Sequence, residues 1–366
     1  MKKKKLMVLT MSAVLAATTL LAGCGSKSTS TSTGNSKDKD YTVKLGYYNC
    51  DHMTAACIAK DAGIFDKLGL KVEVTGNGKV PEAMAAGKMD MGYIGSGGLI
   101  AAQLKGSPIA IAANNHKGGS YYLVASNNIK TPQDLVGKKL AIGSKPEQSA
   151  TWIEMTKKLG IPAEGKNYAP VDMSGLKDKY LAFKTGKIDG YTTCDPWGSM
   201  AEYEKTGKIM ATYATIDGEY GVCCVLSANK KFAEEHPELA KKMIQAHVEA
   251  MQYIYLHPVK SSKIFAKNYS IPEEVALMTI YKKTVGEGRT LTWNLETKNL
   301  EHEIVSLKKS GEITGDPKIS DLYLDKLNKE ANVGDFDKFV KEKVTPVFPE
   351  GMTYEQWKQK AMEIDK

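Results

Sequence analysis

Between residues 41 and 113 the chain alternates between short β-rich runs and helical runs, and this alternation is what most limits its fold. A strand pattern at 43–48 is followed by helical spacing at 53–65 and a second strand at 71–75. Helix, strand, helix and strand patterns continue over 80–113. Strands separated by helices pair in parallel, since the helix carries the chain back across the sheet. The first part therefore predicts an α/β lobe.

The segment 138–200 repeats this pattern, including a short signature. GKMD at 87–90 and GKID at 186–189 both stand between a helix pattern and the strand pattern that follows it. Glycine suits the left-handed residue that ends a helix. We therefore expect two similar α/β lobes, with the β-rich runs 121–126 and 222–227 as the two crossover strands.

The first forty residues have the pattern of an export and anchoring segment. Lys2 to Lys5 precede an apolar run at 6–21, which is short for a membrane span. The sequence LAGC, ending at Cys24, resembles the bacterial lipobox, and two acyl chains on that cysteine are about what stable anchoring requires. We expect a signal peptide over 1–23, lipidation of Cys24 with a flexible tether over 24–40, and an anchor on the extracytoplasmic face of the cell membrane. The alternative is an ordinary secretory signal with a coincidental cysteine.

Charge and composition exclude several classes of function. The four lysines of the leader supply half of the net charge of +8, and no basic stripe with interleaved aromatic residues follows, so we expect no nucleic-acid partner. Arg289 is the only arginine, so a bidentate guanidinium clamp for an anion is not expected. No phosphate-binding G-x-x-x-x-G-K-[ST] motif is present, so the sequence does not indicate ATP hydrolysis.

Three segments, in this order, resemble one family. TPQDLVGKKLAIGS (131–144), AFKTGKIDGYTTCDPW (182–197) and the helical stretch at 232–258 resemble the nitrate/sulfonate/taurine branch of ABC-transporter substrate-binding proteins. The resemblance runs from about Tyr41 to about Lys326. It implies an α/β, type II periplasmic-binding-protein fold, with two lobes joined by a two-strand hinge and closing over a ligand. We expect lobe I over 41–126 plus 222–326, lobe II over 127–221, and a C-terminal helical tail over 327–366.

The resemblance also implies a function. The chain would be a monomeric, lipid-anchored solute receptor that performs no catalysis, uses no cofactor, and delivers its solute to an ABC permease with its ATPase subunits. The expected solute is small and polar or anionic, of the aliphatic sulfonate, taurine or nitrate class. Alternatives are a heteroaromatic solute such as a thiamine pyrimidine precursor, which the aromatic residues would stack against, and a soft metal or metal complex. Fungal thiamine-pyrimidine synthases resemble the family in fold and have a longer cysteine cluster at the position of residues 222–225, so an enzyme is a further alternative. A purely adhesive or structural lipoprotein is the remaining alternative.

Candidate binding residues follow from where ligands sit in open α/β sheets, which is beyond the carboxyl ends of the strands. Five such corners occur, at 47–52, 95–98, 114–117, 143–145 and 192–197. From them we predict a site made of Tyr48, Asn49, His52, Ser96, Gly97, Asn115, His116, Ser144, Cys194, Asp195 and Trp197.

Three of these residues have a structural alternative. Ser144 and Glu147 fit a capping box, so Ser144 could serve only as a helix cap. Asp195 stands before Pro196 and fits an N-cap followed by proline in the first helical turn. Trp197 fits either a cleft wall, which the resemblance favours, or the core of its lobe.

Cysteine use does not indicate a disulfide framework. Five cysteines follow Cys24, and an odd number cannot all pair within the chain. Cys50, Cys194 and the Cys223-Cys224 pair fall at or near predicted corners or the crossover, together with His52. No C-x-x-C and no histidine pair at i, i+4 is present, so we predict no metal site and interpret the thiols as small apolar side chains.

Overall fold

A computed structural model describes residues 38–48, 50–76, 79–118, 121–212 and 221–366, and the backbone alone at Met53. The leader, Cys24 and most of the predicted tether lie outside these residues. The described residues form one compact unit that contains two five-stranded sheets. The first has the order β2-β1-β3-β10-β4, with β1 (Thr42–Tyr47), β2 (Lys71–Gly76), β3 (Met91–Gly95), β4 (Ile109–Lys117) and β10 (Val222–Asn229). The second has the order β7-β6-β8-β5-β9, with β5 (Tyr121–Ser126), β6 (Lys139–Ala141), β7 (Ala169–Pro170), β8 (Gly190–Cys194) and β9 (Gly207–Thr212).

The two sheets share one topology. In each, three strands pair in parallel and the fourth strand in the order runs antiparallel to both of its neighbours. That antiparallel strand is the one that enters the sheet directly after the chain has crossed from the other sheet: β5 after 118–121 and β10 after 212–222. The predicted pair of similar α/β lobes is therefore confirmed.

One predicted boundary is wrong. Residues 121–126 were expected in lobe I, but this run is β5, which pairs with β8 and β9 of the second sheet. Its β-rich composition indicates a strand without indicating which sheet it joins, since pairing partners lie far away in sequence. Lobe II thus begins near residue 121, whereas the return to lobe I near 222 is as predicted.

Helices cover the sheets. Those of the first sheet and of the long segment after β10 pack together around one large core, in which Ile58, Met243 and Phe265 are buried. Among the described residues, no helix is both long enough and apolar enough to cross a membrane. The helices are α1 (Ala55–Asp61), α2 (Ile64–Lys67), α3 (Val80–Ala85), α4 (Ser96–Leu104), α5 (Ala150–Leu159), α6 (Leu176–Lys184), α7 (Trp197–Tyr203), α8 (Lys230–Glu235), α9 (Pro237–Leu256), α10 (Pro258–Tyr269), α11 (Glu273–Tyr281), α12 (Thr297–Ser310), α13 (Ile319–Leu322), α14 (Asp325–Glu330), α15 (Phe336–Phe339) and α16 (Tyr354–Ile364).

The repeated signature has the same structure in both lobes. Gly87 ends its helix with φ of 66° and Gly186 with φ of 70°, as the glycine positions predicted. Asp90 then accepts a hydrogen bond from the backbone N–H of Lys44 at 2.8 Å, and Asp189 accepts one from the N–H of Lys139 at 3.0 Å. Each aspartate therefore fixes the start of its strand to the neighbouring parallel strand.

The C-terminal residues pack onto lobe I. The Leu324 N–H donates to the carbonyl of Ile111 at the edge strand β4, at 2.9 Å. Trp357 of α16 is buried, with its ring 5.5 Å from that of Tyr281. The predicted helical tail is thus part of the compact unit.

Candidate functional site

The carboxyl ends of the parallel strands of the two lobes meet in a buried polar region. The N–H of Asp51, after β1, donates to the carbonyl of Asp195, after β8, at 2.8 Å. Next to this bond the Cys50 and Cys194 sulfur atoms are 2.8 Å apart, and all four side chains are buried. The lobes therefore touch at the place where a ligand of this fold class is expected. We call the region the interlobe cluster: Cys50, Asp51, His52, Asn115, His116, Tyr122, Cys194, Asp195, Cys223, Cys224, Lys283 and Glu287.

The charged part of the interlobe cluster centres on Lys283. Its side chain is 2% exposed, and its ammonium lies 3.1 Å from carboxylate oxygens of both Asp51 and Glu287. It also donates to the Tyr122 hydroxyl at 3.0 Å, and that hydroxyl donates to Glu287 at 2.6 Å. Tyr122 belongs to lobe II, so the network holds the two lobes together through one buried cation.

A π-helical turn positions this cation. Residues Lys282–Gly286 follow α11 directly and form one π-helical turn, a feature that occurs often at functional sites. The Lys282 ammonium lies 3.8 Å from Asp195 and donates to Ser199 at 2.8 Å. Two consecutive lysines thereby contact three carboxylates of the cluster, Lys282 that of Asp195 and Lys283 those of Asp51 and Glu287.

One part of the cluster brings an imidazole close to two thiols. His52 Nδ1 lies 3.3 Å from Cys224 Sγ and 3.6 Å from Cys223 Sγ, and the two sulfur atoms are 3.6 Å apart. On its other side, His52 Nε2 lies 3.3 Å from a carboxylate oxygen of Asp51. The ring of His116 stacks on that of His52 with a centroid distance of 3.8 Å.

Irregular strand pairing explains why neighbouring residues point the same way. Side chains of successive strand residues normally face opposite sides of a sheet. Along β10, however, Val222 pairs with Lys117 and Cys224 with His116, so Cys223 is an extra residue; opposite the next step, Asn115 is extra on β4. These bulges turn both thiols towards His52, and Asn115 donates its side-chain N–H to the His52 carbonyl.

The electrostatics of the cluster are strongly perturbed. Burial lowers the pKa of His52, but Asp51 and the Cys50 and Cys223 thiols raise it, and the net pKa is well above the ordinary value. A hydrogen bond from Cys224 holds the pKa of Cys223 well below its usual range, and the same bond raises the pKa of Cys224.

The remaining groups respond to burial and to the lysines. Burial raises the pKa of Asp51 in spite of His52 and Lys283. For Asp195 the two lysines outweigh burial and lower the pKa. Burial lowers the pKa of Lys283, but the surrounding carboxylates raise it above the ordinary value. Several buried groups with perturbed pKa values in one region are a pattern that occurs often at functional sites.

Ser96 and Glu303 border the thiols. The Ser96 hydroxyl lies 2.7 Å from the Val222 carbonyl, 3.2 Å from that of Cys223 and 3.4 Å from a Glu303 carboxylate oxygen. Burial, followed by repulsion from Cys223, raises the pKa of Glu303 to about 8. The first turn of α4 is thus joined to the start of β10 at the edge of the cluster.

The structure brings together several of the predicted site residues and separates others. His52, Asn115, His116, Cys194 and Asp195 lie in the interlobe cluster. Tyr48 is half-buried next to it and Ser96 borders it. Gly97 instead lies against Leu307 of α12, and Asn49 lies outside the described residues. Whether the clustered residues bind a solute stays a prediction.

The capping interpretation of Ser144 is wrong. Ser144 is exposed, and Glu147 accepts a hydrogen bond from the Gly165 N–H rather than from the backbone of Ser144. The cap of α5 is Ser149, whose hydroxyl accepts from the Trp152 N–H. A short 3-10 turn at Pro146–Gln148 displaces the helix start by several residues, which the spacing of serine and glutamate does not reveal.

Trp197 matches its structural alternative, and Asp195 matches its own only in part. Asp195 accepts from the Ser199 N–H at 2.8 Å and from its hydroxyl at 2.9 Å, so it does hold the first turn of α7, but the N-cap is Pro196 rather than Asp195. Trp197 is 3% exposed, and its ring lies 5.8 Å from that of Tyr180, which is the packing that the core interpretation predicts.

Sequence reasoning missed Tyr122, Lys283, Glu287 and Glu303. Tyr122 was placed on the wrong lobe, and the other three stand in helical segments where charged residues are expected on a solvated face. The spacing of Lys283 and Glu287 at i, i+4 was a signal for a pair, but not for a buried one.

Comparisons with known proteins agree with this architecture. The model of the NMT1-like family matches residues 36–267. A taurine-binding periplasmic protein of Escherichia coli is 28% identical over 184 residues, 49% of this chain and 55% of that protein. A 4-amino-5-hydroxymethyl-2-methylpyrimidine phosphate synthase of Saccharomyces cerevisiae is 30% identical over 246 residues, 62% of this chain and 70% of that enzyme.

Solved structures show the same fold. The ligand-binding component of an ABC-type import system from Staphylococcus aureus, solved with zinc bound, superposes with a TM-score of 0.65 at 18% identity. The superposition covers 81% of this chain and all of that one. The predicted periplasmic-binding-protein fold is therefore confirmed.

Proposed function

Because this chain belongs to the NMT1-like family, we propose that it is the solute-binding receptor of an ABC importer. It captures a small solute between its lobes and delivers it to a permease. Two similarities support this function: the taurine-binding protein of Escherichia coli and the import-system component of Staphylococcus aureus.

The observation that carries the proposal is the contact between the lobes. The chain crosses between the sheets at 118–121 and 212–222, so the lobes can hinge about two connections. Near those connections the lobes meet through Asp51 and Asp195 and through Lys283 and Tyr122, the second residue of β5. Polar groups at such a junction can exchange their contacts with each other for contacts with a solute when the lobes open and close.

The proposed solute is small and polar or anionic, of the aliphatic sulfonate, taurine or nitrate class. Lys283 supplies a buried cation that an anion would approach, and its present partners are carboxylates. Arg289 does not compete for this role, because its guanidinium donates to the carbonyls of Thr284 and Phe348. The similarity to the yeast pyrimidine phosphate synthase favours a heteroaromatic solute as the second candidate.

A thermal-shift panel tests the proposal. It contains taurine, ethanesulfonate, nitrate and an aminopyrimidine, added to the full chain in detergent. Binding to the folded state alone stabilises by RT ln(1 + [L]/Kd), about 4 kcal/mol at a thousandfold excess over Kd. We expect a shift with one sulfonate or with nitrate, and a weaker shift in Lys283→Met; the control Lys267→Met changes an exposed lysine.

Two other results would change the assignment. A shift with the aminopyrimidine alone selects the second candidate, and its chemical conversion by the protein would make the chain an enzyme. No shift with any compound contradicts the receptor proposal.

The proposed location is the extracytoplasmic face of the cell membrane, with lipid on Cys24. The lipobox-like LAGC and the tether composition support it. Cys24→Ser should abolish incorporation of labelled fatty acid and release the protein from membranes, whereas the control Cys57→Ser should do neither. Continued labelling of Cys24→Ser would show that this anchor is wrong.

A further inference from the structure

We propose that His52, Cys223 and Cys224 form a three-donor site for a thiophilic d10 metal ion, Zn²⁺ or Cu⁺. All three residues belong to lobe I: His52 follows β1, and the two cysteines begin β10. The site therefore does not depend on lobe closure or on any organic solute. The metal site goes beyond the proposed receptor function, and the metal site can be wrong while the receptor function is right.

The distances between the three donor atoms fit a single ion. Nitrogen and sulfur atoms held 2.0–2.3 Å from a tetrahedral centre lie about 3.5–3.8 Å from one another. Here the nitrogen-to-sulfur distances are 3.3 and 3.6 Å, and the sulfur-to-sulfur distance is 3.6 Å. Two of the three separations lie within that range, and the third, between His52 Nδ1 and Cys224 Sγ at 3.3 Å, would have to lengthen slightly to hold a shared ion.

His52 lies between the thiols and a carboxylate, as many metal-bound histidines do, although its Nε2 is near Asp51 without a hydrogen bond to it. A metal-bound histidine commonly directs its second ring nitrogen at a carboxylate, which fixes the ring and makes it a better donor. His52 points Nδ1 at the thiols and has Nε2 3.3 Å from Asp51. Asp51 is itself held by Lys283 at 3.1 Å, so the carboxylate behind the imidazole is also anchored.

The backbone explains how adjacent cysteines can serve one site. In regular pairing Cys223 and Cys224 would face opposite sides of the sheet. The bulge at Cys223 cancels that alternation and brings the sulfur atoms within 3.6 Å.

A second set of three donors is less suitable. Cys50, Asp51 and His52 also lie close together, but Asp51 is already paired with Lys283. The Cys50 thiol, moreover, lies 2.8 Å from that of Cys194, in the other lobe. The set made of His52, Cys223 and Cys224 leaves both of those contacts intact.

The donor types select the ion. Thiolate and imidazole suit Zn²⁺ and Cu⁺, whereas Mg²⁺ and Ca²⁺ prefer oxygen ligands. Two thiolates neutralise Zn²⁺, which matters because the surroundings are buried. With three protein donors, the ion would keep one open position, where water or a solute group could bind.

Competition with chromophoric chelators tests the site directly. The full chain, metal-free and reduced with a phosphine, is titrated with Zn²⁺ and separately with Cu⁺. We expect one ion per chain and a fall in affinity of at least about 100-fold in Cys223→Ser and in Cys224→Ser. Asp51→Asn should lower it by about 10–100-fold through the imidazole. The matched control Cys57→Ser removes a buried thiol of α1 and should leave affinity unchanged.

Two results overturn the proposal. One is the absence of one-to-one binding of either ion to the reduced chain. The other is a loss of affinity in Cys50→Ser with full retention in Cys224→Ser, which would assign the ion to the second set of donors. Neither result bears on the solute panel described above, which is read with organic compounds in the absence of metal.

A measurement on the unmodified chain covers the case of a variant that does not fold. Alkylation of each cysteine is followed by mass spectrometry of peptides with and without stoichiometric Zn²⁺. Because the thiolate is the reacting species, a bound ion should slow alkylation of the half-buried Cys223 at least about tenfold. An unchanged rate at Cys223 contradicts the site.

Discussion

The two lobes share a scaffold but differ in the chemistry they present to each other. Both have the strand order described above, and both fix their third parallel strand through the same glycine and aspartate. The antiparallel strands differ: Cys224 of β10 pairs with Gly95 at the end of β3, whereas Tyr121 of β5 pairs with Cys194 at the end of β8. At corresponding places lobe I therefore has adjacent thiols and lobe II has adjacent tyrosines.

This difference teaches which parts of the molecule are interchangeable. The repeated turns act within one lobe and involve backbone groups, so either lobe can use them. The interlobe cluster is asymmetric, since the imidazole and vicinal thiols come from lobe I while Tyr122 and Asp195 come from lobe II. We therefore expect substitutions in the repeated turns to lower the free energy of unfolding by similar amounts in the two lobes. Substitutions in the interlobe cluster should have effects that no substitution in the other lobe reproduces.

The largest effect should come from Lys283→Met. Removing the cation leaves the buried Asp51 carboxylate without its lysine, which typically costs about 3–5 kcal/mol, and it takes one of the partners of the half-buried Glu287. Urea unfolding measures this loss, with Lys267→Met as the control because its pair with Asp61 is exposed and should contribute no more than about 1 kcal/mol. A loss in Lys283→Met as small as that of the control would show that the asymmetric network does not hold the lobes.

Trp197→Ala should lower the free energy of unfolding by about 3 kcal/mol. Trp197 begins α7, as Ser96 begins α4 in lobe I, but its large side chain is buried against Tyr180. Measuring urea unfolding and solute binding on the same variant distinguishes a core residue from a residue of the cleft wall. The variant Trp197→Phe should lose less free energy of unfolding, because an aromatic ring remains. Weaker solute binding with unchanged stability would restore Trp197 to the cleft wall.

Asp90→Ala and Asp189→Ala should each cost about 1–2 kcal/mol, because each removes a charged acceptor of a backbone N–H. Asp90 also accepts from the Tyr41 hydroxyl at 2.9 Å, so its loss should be the larger by about 0.5–1 kcal/mol. Measuring Asp90→Ala in a Tyr41→Phe background should make the two lobes equal. If the two losses of unfolding free energy still differ in that background, the aspartates do not have equivalent roles in the two lobes.

Gly87→Ala and Gly186→Ala should have the smallest effect, about 1 kcal/mol each, and it should be the same in both lobes. A Cβ at either position meets no atom within 4 Å, so the cost comes from the left-handed backbone alone. Gly98→Ala is the control, since its backbone is not left-handed and alanine favours the helix there. Unequal losses at Gly87 and Gly186, measured by urea unfolding, would mean that the turns are not equivalent.

The scaffold could be predicted from the sequence because its determinants are local. Strand and helix periods, and the glycine that ends each helix, are visible within ten or twenty residues. The cluster could be predicted only in part: His52 and Cys194 follow strands, but the bulge that aims Cys223 at His52, 171 residues away, leaves no sequence pattern. Lys283 could not be found, because a lysine in a helix gives no sign that tertiary packing will bury it.

The hydrogen bond from the Asp51 N–H to the Asp195 carbonyl makes hydrogen exchange at one amide a measure of lobe opening. Because this bond joins the two lobes, we expect its proton to exchange with solvent deuterium while the lobes are apart, whereas amides in the strands should exchange through deeper unfolding. The exchange rate of the Asp51 amide should therefore report how often the two lobes separate, and no attached probe is needed. A solute that shortens the time the lobes spend apart would slow this single proton while leaving its neighbours in β1 unchanged.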